Sequence, residues 1–211
     1  MKRPHLIFTA LALSMALTAA AHAETAVSRF VVRGSGADIT AESSDECSST
    51  IFFVSGQENV LREGGPSTPQ KAAFMSYWTF DWCAGTTTTG AGSVWGPDVD
   101  FSANFQGASL SATFTVENSS YPDDPAGEYR EWTSTATIKV TWAGTGRVVP
   151  DSYHSNVKIG ALVWTSHSSY QVRPADVLLD ASVDGSPAIF DSVSGALGQV
   201  TWGNVMVRRS P

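Results

Sequence analysis

Two histidines, His154 and His167, are the only imidazoles beyond residue 23. Nucleophilic hydrolysis would need one of them beside an activated serine. His167 lies in TSHSSY, among serines. Adjacency along a strand does not create triad geometry, and no GxSxG elbow is present. Both histidines read as surface groups at strand ends.

Carboxylates come next, since glycoside hydrolysis needs two of them flanking one bond. Glu128 and Glu131 are three residues apart at the start of a strand, which sends them to opposite faces. Glu117 and Glu131 share the polar side of two hairpin-linked strands and could be neighbours. They read more simply as part of a solvated face.

Turns with paired acids suggest a hard cation. Gly96 to Asp100 carries Asp98 and Asp100; Tyr121 to Pro125 carries Asp123 and Asp124. Calcium takes several oxygens from such loops, so a structural calcium is the one cofactor the sequence raises. Asp also forms turns on its own, by bonding local amides, and neither segment matches an EF-hand.

Aromatic side chains in loops are the candidates for ligand contact. Trp95 in GSVWGPD, Tyr121 and Tyr129 around the acidic loop, and Tyr153 in PDSYHS stand among turn residues. Flat rings there would stack on sugar faces or fill a partner's pocket. Trp78, Trp82, Trp132, Trp142, Trp164 and Trp202 fall inside strands and are assigned to the core. Cys47 and Cys83 are the only cysteines. With no third thiol and no histidine at ligand spacing, they are expected to join as a disulfide.

Strands must carry all of these groups. Residues 108–117 and 128–142 alternate apolar and Ser/Thr side chains, the signature of a sheet with one dry face and one wet face. Further strands are expected at 27–33, 48–55, 72–83, 157–166, 176–183 and 197–207. Gly56 to Gln70 and 118–127 read as long loops, residues 84–92 (AGTTTTGAG) as a loop or edge strand, and Ser194 to Gly198 as a turn of helix. The fold class is therefore all-β: a single-domain antiparallel β-sandwich of Greek-key or jelly-roll type, the alternative being a closed soluble β-barrel. The polar second face argues against a membrane barrel.

Lys2 and Arg3, the apolar run Leu6 to Ala21 and the Ala21-His22-Ala23 site have the order of a cleavable secretory signal. The domain then occupies residues 24–211, and the expected location is extracellular or periplasmic. The run is too short to span a bilayer as an anchor, so no integral membrane protein is expected. Removing residues 1–23 leaves 11 basic residues against 20 acidic ones, a formal charge of −9. Nucleic-acid binding needs clustered cations and is not expected. Asn118-Ser119-Ser120 matches the N-glycosylation pattern, but no use of it is expected. Taken together the residues predict an exported, non-catalytic domain binding an extracellular glycan or protein. A structural subunit pairing through the 84–92 edge is the alternative, and a hydrolase with an unrecognised cleft the second.

Overall fold

The computed structural model describes residues 26–62, 67, 69–123, 127–159 and 162–208. The expected secretory signal lies outside them. Eleven strands form one antiparallel sheet. They are β1 (Ala26–Ser44), β2 (Ser48–Arg62), β3 (Pro69–Asp81), β4 (Thr86–Trp95), β5 (Asp100–Ala103), β6 (Gly107–Pro122), β7 (Arg130–Gly144), β8 (Val149–Ile159), β9 (Leu162–Val183), β10 (Ser186–Pro187) and β11 (Ser192–Arg208). A single 3₁₀ turn, Gly96–Asp98, is the only helical segment among the described residues. The fold is all-β and sandwich-like, as the alternation predicts.

Strand pairing runs in a circuit. β1 pairs with β2, β2 with β3, β3 with β4, β4 with β6, β6 with β7, β7 with β9, β9 with β11, and β11 with β1. Opposite residues in antiparallel pairs share a face. Following the register from Ile39 round to Gly195 and back returns to the same face, so one set of side chains points inward all the way round. That set includes Ile39, Val54, Met75, Phe114, Val116, Ile138, Val140, Trp142 and Leu197, all buried. The interior is packed and largely apolar, with Asn118 and Ser134 its buried polar members among these strands.

Its tightness explains a correction. Gly56 and Gly90 point inward, and their missing side chains make room for the rings of Phe101 and Tyr77; at Gly92 a side chain would meet the Thr115 carbonyl. The inward row of β3 is Ala73 and Met75, both buried, and Tyr77, seated over Gly90. Its bulky row, Phe74, Trp78 and Phe80, goes out. Of the six tryptophans assigned to the core, only Trp142 is buried, at 3% exposure. Trp78, Trp82, Trp132, Trp164 and Trp202 are exposed.

Four further expectations change. Gly56 to Arg62 belongs to β2 and Asn118 to Pro122 to β6, which shortens both expected loops. Ser194 to Gly198 is strand, not helix. The Thr-rich segment is β4, held on both sides by β3 and β6, so it offers no free edge. The longest strand paired on one side only is β8, which pairs only with β9 among the described residues; the short β5 and β10 are the others.

Beyond the packed interior, residues 26–36, 149–159, 162–172 and 198–208 continue as a four-stranded apron. Asn204 is its one buried side chain among the described residues, and the Oδ1 of Asn204 has no hydrogen-bond partner there.

Asp38 gives a pH handle. It stands on the outer face of β1, opposite Ser55 and Ala196. Burial raises its pKa to about 6, against a smaller lowering by its backbone hydrogen bond to Ala196. A carboxyl with a raised folded-state pKa stabilises the fold fully below the unfolded value, and that stability is lost as pH rises through the folded one. The loss falls between pH 3.8 and about 6, at most about 3 kcal/mol and less where water still reaches the group. Asp38→Asn is expected to raise the pH 7 urea midpoint by the equivalent of about 1–3 kcal/mol and to change it little at pH 4. Equal shifts at both pH values would contradict this origin.

Candidate functional site

The outward row of β3 is the centre of the most distinctive surface. Phe74, Trp78 and Phe80 share the outer face with Phe53 of β2 and Trp95 at the end of β4. The register places Ala72 opposite Trp95, Ile51 opposite Trp78, and Thr87 opposite Phe80. Phe74 meets Trp95 edge-on with ring centres 5.1 Å apart, and Phe53 meets Trp78 edge-on at 5.7 Å. Trp82 extends the row into the β3–β4 turn. Its indole N–H donates to the Glu46 carbonyl at 2.9 Å. Exposure is 39% for Trp78, 51% for Trp95 and 56% for Trp82. At about 3.3 Å per residue, the row from Ala72 to Phe80 runs roughly 27 Å.

The row continues across the sheet. Tyr121 of β6 stands opposite Thr87, and Tyr129 lies against it with ring centres 5.0 Å apart. The Tyr129 hydroxyl donates to Glu131 in a short hydrogen bond, and that contact holds the tyrosine pKa well above its usual value. Thr89 and Ser119 hydroxyls, 2.9 Å apart, lie on the same outer face. Three of the four expected ligand aromatics, Trp95, Tyr121 and Tyr129, thus stand at the ends of one surface. Tyr153 does not: it sits on β8, on the apron, exposed. The members Phe53, Phe74, Trp78 and Phe80 on strands and Trp82 in the turn were not expected. Alternation with two apolar faces gave no way to tell which faced out.

The other candidates do not converge. Among the described residues no three His, Cys, Asp or Glu groups come together to hold a metal. Asp98 lies in the 3₁₀ turn, Asp123 follows β6 with its amide bonded to the Gly85 carbonyl at 2.8 Å, and Asp124 lies outside the described residues. Asp100 belongs to a cross-strand row with Ser111, Lys139 and Asp180, lining a shallow groove of about 430 Å³. The cation in that row separates its two acids. Glu117 and Glu131 share the outer face diagonally, since Glu117 opposes Thr133 and Glu131 opposes Ser119. Both are exposed on a surface, not in a cleft. Asn118 is buried, with its amide bonded to Ser134 Oγ at 3.0 Å and its Oδ1 accepting from Tyr77 at 2.7 Å. A folded chain cannot offer it for glycosylation.

The expected disulfide is present, Cys47 to Cys83. No family model, curated protein or solved structure matches the chain.

Proposed function

We propose that this chain is an exported, non-catalytic binding protein that holds an extracellular glycan across the outer aromatic face of β2, β3, β4 and β6. The observation that carries the reading is the row Trp95, Phe74, Phe53, Trp78, Phe80 and Trp82, left open on one side of the sheet. Contiguous exposed apolar surface is costly in water and marks an interaction site. Exposed tryptophan and phenylalanine rings in a row suit the apolar C–H faces of a sugar chain, and the neighbouring Thr and Ser hydroxyls suit its hydroxyls. The disulfide fits an oxidising destination. No helix among the described residues is long and apolar enough to cross a membrane.

Retention on insoluble polysaccharides and peptidoglycan, with tryptophan fluorescence for soluble oligosaccharides, tests the reading. Trp78→Ala is expected to weaken binding at least tenfold. Trp202→Ala, an exposed ring on the apron, is expected to leave it unchanged. Failure to bind any of these glycans, or equal losses in both variants, would overturn it.

A second reading, an assembly subunit, is favoured by the β8 edge. Ten of its 11 side chains are exposed, and its outer rim has no strand partner among the described residues. Such an edge is a template for another strand. In that case Ser155→Pro is expected to abolish higher species in sedimentation velocity; a wild-type chain that stays monomeric at high concentration would exclude it.

A further inference from the structure

The β8–β9 register sets His154 directly opposite His167, so the two imidazoles share one face of the apron. Their ring centres are 6.2 Å apart with planes inclined at 51°. Metal–nitrogen bonds of about 2.0–2.1 Å put each ring centre about 3.2 Å from the ion, so two imidazoles on one ion have ring centres about 4.5 Å apart when cis and about 6.4 Å when trans. The pair lies inside that span, near its trans end. We propose that His154 and His167 form a two-nitrogen binding site for a late first-row divalent ion, with copper(II) the tightest.

Three features support it. Both imidazoles are exposed, so an ion reaches them without opening the fold and keeps water in its remaining positions. The β11 residue facing His167 is Gly203, which has no side chain to crowd the ring. The flanking pairs on this face, Ser152 with Ser169 and Asn156 with Thr165, are uncharged, so neither cation nor carboxylate competes beside the ion.

The choice of ion follows from the donors. Imidazole suits copper, nickel and zinc, and affinity at such a site peaks at copper(II). Both cysteines are joined, leaving no thiol among the described residues to draw a softer ion elsewhere. The site is independent of the glycan face, which lies on other strands.

Copper(II) titration of the exported protein, followed by calorimetry and electron paramagnetic resonance, tests the proposal. The expected result is one tight ion per chain, with superhyperfine splitting from two nitrogens. His154→Ala and His167→Ala are each expected to weaken binding at least tenfold and to remove one coupled nitrogen, while Asn156→Ala changes neither. Independently of variants, copper is expected to protect His154 and His167 of the wild type from diethylpyrocarbonate. Unchanged affinity in His167→Ala, or modification of both rings at full speed in the presence of copper, would overturn the proposal.

Discussion

Phe101→Ala is expected to lower the unfolding free energy by about 3–5 kcal/mol. Phe101 is the inward residue of β5, a strand of four residues paired on one side only, with Phe101 opposite Leu110. Its exposure is 0%. Removing the ring leaves a cavity between β5, β2 and the core, which the ladder of β1, β2 and β3 on its other side is too rigid to fill. Transfer and cavity terms then add. β5 has little else to hold it, so fraying of that strand adds to the loss. Equilibrium urea unfolding gives the number. A loss below about 1 kcal/mol would mean that the site repacks.

The same site allows a sharper test. A methyl group built on Gly56 would sit 2.5 Å from Cδ2 of Phe101. Gly56→Ala alone must displace the ring and is expected to cost about 1–3 kcal/mol. With Phe101→Ala already made, the obstruction is gone, and Ala suits a strand better than Gly. The double variant should therefore be less destabilised than the two losses added together, by about 1–3 kcal/mol. Strict additivity would show that Gly56 serves the backbone and not the ring.

This glycine–ring fit also shows why part of the molecule was legible in the sequence and part was not. Residues 108–117 and 133–142 carry apolar groups at every even position except Ser134 and Ser, Thr, Lys or Glu at every odd one. Only one face of such a strand can be dry, and Leu110, Phe114, Val116, Ile138 and Val140 are buried accordingly. β3 is different because both of its faces are apolar. Side-chain size favours burying Phe74, Trp78 and Phe80, yet the interior is narrow there, with Phe101 seated over Gly56 and β3's own Tyr77 over Gly90. That narrowness depends on which strands meet, which is long-range information. A one-residue slip would reverse the faces.

The same limit applies to β4. Residues 84–92, with four threonines in a row, read as a loop or edge strand, but β4 is paired on both sides, and Gly90 leaves the space that Tyr77 fills. Trp95, Tyr121 and Tyr129 were accessible to sequence reasoning because turn residues surround them. The pairing of His154 with His167 was not, since thirteen positions separate them and only the register of β8 on β9 makes them neighbours.

Loss of the Cys47–Cys83 bridge is expected to cost about 3–4 kcal/mol, read as a fall in melting temperature of about 6–16 °C. The two cysteines are 36 residues apart and join the β1–β2 turn to the β3–β4 turn. Cross-linking them removes conformations from the unfolded chain, and the chain-entropy account sets the size. The native turns are well made without it. Asp45 Oδ1 accepts from the amides of Cys47 and Ser48 at 2.8 and 2.6 Å, which pulls the Asp45 carboxyl below its usual pKa. The Trp82 amide donates to the Cys47 carbonyl at 3.0 Å. The Cys47→Ser, Cys83→Ser double variant should therefore keep the fold while its melting point drops, and dithiothreitol should lower the wild type to the same point. Because Trp82 is tied to Glu46 and Cys47, the reduced protein is also expected to hold this end of the aromatic row less firmly, weakening glycan retention by less than Trp78→Ala does. A double variant that melts with the oxidised wild type would mean that these turn hydrogen bonds already close the loop in the unfolded chain, leaving the bridge nothing to remove.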